Sequence, residues 1–179
     1  MLVVLVKMVS SSMKVLVLVR HAKSDRGDQD LADFDRPLNE RGKRDAPRMA
    51  AYLKQSGVVP QRIISSPAKR TRKTAKIFAE YLDTDDSMVE FASDIYEATT
   101  EDLWNVIRRF DDEVECCMLV GHNPGITNLA NHFINNQSSY IGNVPAAGVV
   151  VLKFNVLSWQ MLKPGSADLV SFATPAGIE

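Results

Sequence analysis

Residues 15–19 read VLVLV, five apolar side chains with no polar residue at either parity. Successive side chains of a strand point to opposite faces, so such a run must be covered on both sides. A sheet with one wet face cannot house it. The central strand of a mostly parallel sheet, with helices on both faces, can. The remaining pattern agrees with that choice. From Asn39 to Gln55 the apolar positions Ala46, Met49, Ala50 and Leu53 recur at helical spacing, and Gly57 stops the run. RIISS (residues 62–66) is a short strand, after which Ser66 and Pro67 supply an N-cap and a first-turn proline. Ala68, Ala75, Phe78, Ala79 and Leu82 line the helix that follows. Leu103, Val106, Ile107 and Phe110 make a third apolar stripe, capped by Thr99 or Thr100. CCMLVGH (residues 116–122) is a second buried strand, and Asn123-Pro124 opens a helix carrying Ile126, Leu129 and Ala130. GVVVLKF and SWQMLKP read as two last strands, a hairpin across residues 155–157. Strands alternating with helices predict an α/β fold: a three-layer α/β/α sandwich whose central sheet is mostly parallel.

The chain has 179 residues, enough for one domain with a real core. No internal repeat, linker or low-complexity segment divides it, so residues 13–179 are expected to form one domain. Residues 1–12 stand apart. They are apolar but interrupted by Lys7, too short to span a bilayer, and end in a serine triplet unlike a signal-peptide cleavage site. Met13 begins what reads as a complete start, so 1–12 is expected to be a leader from an upstream start site, with an extra edge strand as the alternative. Net charge is −1, which provides no global basic field for nucleic acid. The two cysteines, Cys116 and Cys117, are adjacent in a strand and so face opposite sides, which makes a bridge between them unexpected. Two reduced thiols suit a cytoplasmic location.

Three predicted strands end unusually: the first in Arg20-His21, the second in Ser65-Ser66-Pro67 with Arg70 one turn into the helix, the third in Gly121-His122-Asn123-Pro124. Ligands of open α/β sheets bind at the carboxyl ends of strands. There the three clusters would bring together two arginines, two histidines and helix N-termini, whose free N–H groups favour an anion. A compact dianion such as phosphate fits that set. Each residue alone has an ordinary explanation: a histidine satisfied at a strand end, or an arginine in the solvated face formed by Lys69, Arg72, Lys73 and Lys76. His132 reads as structural, and Glu40, Arg41 and Arg44 as helix-surface charges. It is the convergence of three strand ends that favours a site.

RHA after the first strand, SSPAKRTRKTA and GHNPG together resemble the histidine phosphatase superfamily, with its phosphoglycerate-mutase-like fold. DFDRPLNERGKRDA narrows the resemblance to its small SixA-like phosphohistidine phosphatases, and the likeness runs from Met13 to about Lys163. The resemblance implies that His21 is the nucleophile and that Arg20, Arg70 and His122 hold the phosphate. It implies that Glu97, in IYEATTEDL, protonates the leaving group, although Glu101 and Asp102 beside it read as first-turn helix charges. Arg36 of DRPL falls at the pocket rim, and Ser24 and Asn123 join the substrate-binding set. Where the family usually has R-H-G, this chain has Ala22, expected to be tolerated.

A phosphatase working through a covalent phosphohistidine is therefore expected, with phosphohistidine on a protein as its substrate. A small phosphate ester is the alternative, and an inactive phosphate-binding module a third reading, against which the intact cluster argues. Only about two dozen residues separate Glu97 from Gly121, room for a helix and a strand but no lid, so the pocket should admit a folded partner. No cofactor or metal is implied, because cationic side chains do the neutralising. No nucleic acid or membrane partner is implied either, and the expected state is a monomer.

Overall fold

The computed structural model describes residues 13–178. Residues 1–12 lie outside them, and with them the reading of that stretch as a leader. Six strands, β1 (Lys14–Arg20), β2 (Arg62–Ser65), β3 (Val89–Phe91), β4 (Cys116–Gly121), β5 (Val149–Phe154) and β6 (Ala167–Ala173), form one sheet in the order β3-β2-β4-β1-β5-β6. The first four neighbours run parallel; β5 is antiparallel to β1, and β6 to β5. Helices α1 (Glu40–Gln55), α2 (Lys69–Tyr81), α3 (Thr100–Ile107) and α4 (Gly125–Phe133) cover both faces. No helix among the described residues is long and apolar enough to cross a membrane.

The VLVLV run divides by parity, as its pattern requires. Leu16 and Leu18 pack with Leu119 and Leu152 against the apolar stripes of α3 and α4. Val17 and Val19 pack with Met118, Val120 and Val151 against those of α1 and α2. All four β1 side chains are fully buried, and truncating one such leucine to alanine typically costs about 2–5 kcal/mol. The strand starts one residue before the apolar run, on Lys14, whose ammonium is also buried and donates to the carbonyls of Asp112 and Val114.

Helix ends follow their local chemistry. The Asn39 side chain accepts from Gly42 N at 2.9 Å to cap α1. Thr99 and Asp102 form a reciprocal capping box on α3. Ser66, expected as the cap of α2, stands two residues before the observed cap, Ala68. Its hydroxyl accepts from Ala68 N at 3.3 Å and is left with a second partner in the site described below.

The last strand differs from expectation. WQML is not a strand: Trp159–Met161 is a 3₁₀ turn. Trp159 is fully buried, with its indole N–H donating to Val114 O at 2.9 Å and its backbone N–H to Asp112 Oδ1. Its apolar character plugs the core from a loop. The strand is instead ADLVSFA, an edge strand that leaves Val170 and Phe172 exposed. The three-residue edge strand β3 also escaped the sequence pattern, because VEF is too short to show a period.

Candidate active site

Parallel register brings the three strand ends level. Arg20 of β1 stands opposite Gly121 of β4, and Ser65 of β2 opposite Val120. The ladder continues one residue past each strand: His21 N donates to Gly121 O at 3.0 Å, and Ser66 N to Val120 O at 3.1 Å. His21, Ser66 and His122 therefore leave the same edge of the sheet side by side. Helix α2 begins directly behind Ser66 and carries Arg70 into the space between the two imidazoles.

Arg70 is the hub. It is 4% exposed and uses its whole guanidinium. Its Nε donates to His21 Nε2 at 3.3 Å, and Nη2 donates to His122 Nδ1 at 3.2 Å and Asp33 Oδ2 at 2.9 Å. Nη1 donates to the Asp33 carbonyl at 2.5 Å. A guanidinium can only donate, so both imidazole nitrogens that face it must be bare. The other nitrogens agree. His21 Nδ1 lies 2.8 Å from the Ala22 carbonyl, which can only accept, and His122 Nε2 lies 2.8 Å from Ser66 Oγ. His21 thus carries its proton on Nδ1 and presents a bare Nε2. The two rings lie 5.2 Å apart between centroids.

Burial is the main force holding both rings neutral. For His21 it combines with His122, Arg70 and Arg20 nearby and, against the opposing bond to Ala22, carries the pKa down to about 3. For His122, burial and then Arg70 bring it to about 4, although Asp33 pulls the other way. Thr74 fixes the backbone beneath: its hydroxyl accepts from Ala22 N at 3.0 Å and donates to Arg70 O at 2.7 Å. Ala22 itself is fully buried and is not among the non-glycine residues with positive φ, so this position does not need glycine for its backbone.

Arg20 reaches the site from the end of β1. Its Nη1 donates to Val144 O at 3.0 Å, while its buried Nε has no partner among the described residues. Asn123 acts through the same carbonyl. Its amide donates to Val144 O and to Asn143 Oδ1, both at 2.9 Å, and its oxygen accepts from the Thr127 hydroxyl. With its side chain engaged in this way, Asn123 positions the loop that holds Arg20. Ser24 is buried, in a short bridge to Leu38, and lines a cavity with Arg20 and His21. Arg36 sits at the rim, where its Nη2 donates to Asp33 Oδ1 at 2.5 Å.

Glu97 is placed differently. It is exposed, has φ +54°, and lines an open cleft on the far side of Tyr96 with Asp94, Arg108 and Arg109. Among the described residues no hydrogen bond or ion pair joins it to the His21–Arg70–His122 cluster. The carboxylate in that cluster is Asp33, which sequence reasoning passed over. Burial tends to raise the Asp33 pKa, but hydrogen bonds from Tyr96 and Arg70, with the charges of Arg70 and Arg36, hold it at about 2. Tyr96, also missed, donates its hydroxyl to Asp33 Oδ2 at 2.8 Å and packs edge-on against His122 and Phe34. The sequence signal for Asp33 was present in DFDRPL, where only Arg36 drew notice.

A cluster of two histidines and two arginines at the carboxyl edge of such a sheet defines a class, and comparison with known proteins agrees. The family model for the histidine phosphatase superfamily (branch 1) matches residues 16–115, and the chain belongs to that superfamily. A Mycobacterium leprae protein, uncharacterized, is 31% identical over 167 residues, 88% of this chain and 99% of its own length. An uncharacterized chloroplastic protein of Arabidopsis thaliana is 37% identical over 118 residues, 62% of this chain and only 54% of its own length. Among solved structures, SixA from Agrobacterium tumefaciens is 27% identical with a TM-score of 0.77, covering 90% of this chain and 98% of that one. A phosphoglycerate mutase from Bacillus anthracis, 16% identical with a TM-score of 0.65 over 94% and 96% of the two chains, shares the fold.

Proposed function

We propose that this protein removes phosphate from phosphohistidine on a partner protein, through a covalent intermediate on His21. The observation that carries the reading is the bare Nε2 of His21, held 3.3 Å from Arg70 Nε in a ring whose other nitrogen is tied to Ala22 O. The Nε2 lone pair forms a bond to phosphorus as the bond to the leaving imidazole breaks. The leaving nitrogen keeps that bond's electron pair and takes a proton from water. The His21 ring becomes cationic while it carries the phosphoryl group, and the Ala22 carbonyl accepting from Nδ1–H stabilises that charge. Arg20 and Arg70 neutralise the phosphoryl oxygens. Water then attacks phosphorus, the N–P bond breaks, and inorganic phosphate leaves with neutral His21 restored.

Two features support a phosphohistidine substrate over an ester. An alkoxide leaving group needs an acid, and among the described residues the one carboxylate bonded to the cluster, Asp33, is ionised and committed to Arg70 and Tyr96. The segment from Glu97 to Gly121 holds only α3 and β4, with no inserted lid. The test compares a phosphohistidine peptide with an alkyl phosphate ester at equal concentration. Turnover of the peptide at least about a hundredfold faster is expected, given what an absent acid withholds from an ester. Efficient ester hydrolysis with an inert phosphohistidine peptide would contradict the reading.

A further inference from the structure

Binding one phosphoryl group does not exhaust the cations around His21. A cavity of about 280 Å³ opens beside His21 and Arg20, and its lining also includes Lys23, Arg26 and Arg41, with no carboxylate. Arg41 has a counter-charge elsewhere, Asp45 at 3.2 Å. Among the described residues Lys23 and Arg26 have none within ion-pair distance. Arg26 is close enough to Arg20 that the two charges oppose each other. Lys23 and Arg26 thus add two unpaired cations beside Arg20 in a chain whose net charge is −1.

The cluster is also built firmly. The backbone of Lys23 is pinned by Asn39 N donating to Lys23 O at 3.0 Å, and Asp25 N donates to Pro37 O at 2.8 Å. Helix α1 presses so closely that a Cβ on Gly42 would lie 2.2 Å from the Lys23 carbonyl oxygen. Arg26 rides on a turn closed by Gly27 N donating to Asp25 Oδ1 at 2.8 Å. On the other side the buried Arg20 Nε–H has no partner among the described residues. A phosphoryl dianion is already met by Arg70 and Arg20, so Lys23, Arg26 and Arg41 exceed its need. The volume, which includes space beside His21, lies just below the usual range of ligand pockets, about 300–1,000 Å³, so it suits a small anionic group and not a nucleotide.

We propose that the cavity bounded by Arg20, Lys23, Arg26 and Arg41 is a second anion subsite, which takes a carboxylate or phosphoryl group carried by the same substrate whose scissile phosphoryl group lies on His21. This rests on the phosphatase reading and adds a requirement to it: the substrate is at least a bis-anion. The second anion can be an acidic residue flanking the phosphorylated one on a protein, or a second acid group of a small phosphate. The chemistry of recognition is the same for both.

The test measures binding of inorganic phosphate, ethylphosphonate and 3-phosphonopropionate, none of which is a hydrolysable ester. It uses the wild-type chain and the exposed-site double variant Lys23→Ala/Arg26→Ala, with the melting temperature as a folding control. A single-site variant, Arg26→Ala, stands in should the double variant melt early. In the wild type, 3-phosphonopropionate is expected to bind about tenfold more tightly than ethylphosphonate, the usual return on one charge-assisted contact. The variant should lose that margin while its affinity for inorganic phosphate changes by less than about threefold. A parallel arm compares kcat/KM for phosphohistidine peptides with glutamate or glutamine beside the phosphorylated residue. A margin for the glutamate peptide alone assigns the anion to a protein; a margin for 3-phosphonopropionate alone assigns it to a small molecule. No margin for either in the wild type, or a margin that survives in the variant, overturns the subsite and leaves the phosphatase reading intact. Failure of inorganic phosphate to bind at all would overturn both.

Discussion

Asp33 and the two imidazoles set the electrostatics that a substrate meets. The Asp33 carboxylate occupies Arg70 Nη2, a donor that the phosphoryl group of the proposed substrate would also need. Asp33 is half exposed, and such a pair is worth about 1 kcal/mol at most. Asp33→Asn should therefore tighten inorganic phosphate binding by up to about fivefold, measured by calorimetry. Weaker binding would mean that Asp33 holds Arg70 in place and does not compete for it. Both imidazoles have lower pKa values folded, about 3 and about 4, than the 6.5 of a free side chain. They are neutral in the fold, so their contribution to stability is intact above pH 6.5 and drains away as pH falls from 6.5 towards 4 and then 3. Nitrogen-15 NMR of the free protein should find neither ring titrating near 6.5. Added phosphate should raise the His122 midpoint, because its bare Nδ1 can donate to a phosphoryl oxygen only by taking up a proton. A His21 midpoint near 6.5 in the free protein would contradict the burial argument. Glu97, which resemblance alone assigns as an acid, lies outside the hydrogen-bonded cluster. If it nevertheless serves, Glu97→Gln should slow ester hydrolysis by about 10²–10⁴-fold and phosphohistidine hydrolysis far less. From the geometry we expect both rates to stay within about threefold of wild type, well short of what losing a general acid costs.

Elements were legible where pattern and burial coincide. The VLVLV strand, its partner CCMLVG and the stripes of α1, α2 and α4 stand where periodicity put them, since each buries an apolar face; α3 ends at Ile107, so Phe110, read as part of its stripe, packs against the core from the bend beyond it. The C-terminal strands were only half legible. ADLVSFA is an edge strand with exposed Val170 and Phe172, so its alternation did not separate core from solvent, and the buried Trp159 drew the assignment to a turn instead. Arg20, His21, Arg70 and His122 were visible as a group because each sits at a strand end or in the first turn of α2. Asp33 and Tyr96 were not, because both reach the site from loops whose course only the tertiary fold decides. Gly42 belongs to this scale as well. It lets the first turn of α1 touch the Lys23 backbone, and any Cβ there collides with that carbonyl. Gly42→Ala should lower stability by about 1–3 kcal/mol, the usual cost of forcing atoms into a packed contact. It should also reduce kcat/KM by shifting the loop after His21. Unchanged melting and activity would show that this contact gives way freely.

The whole molecule reduces to a doubly covered sheet whose parallel strands β1, β2 and β4 end level, so that distant segments of sequence deliver two histidines and two arginines to one place. The chain is nearly neutral, so the cations gathered at that edge are a local concentration. The central claim is that His21 Nε2 is the atom that receives the phosphoryl group. Rapid acid-free quenching of the wild-type protein during turnover of a phosphohistidine peptide, followed by mass spectrometry at alkaline pH, tests it directly. One phosphoryl group should appear on His21 and on no other residue, and His21→Ala should form none while still binding inorganic phosphate. A phosphoryl group on His122 or on any other side chain, or steady turnover by His21→Ala, would contradict the account.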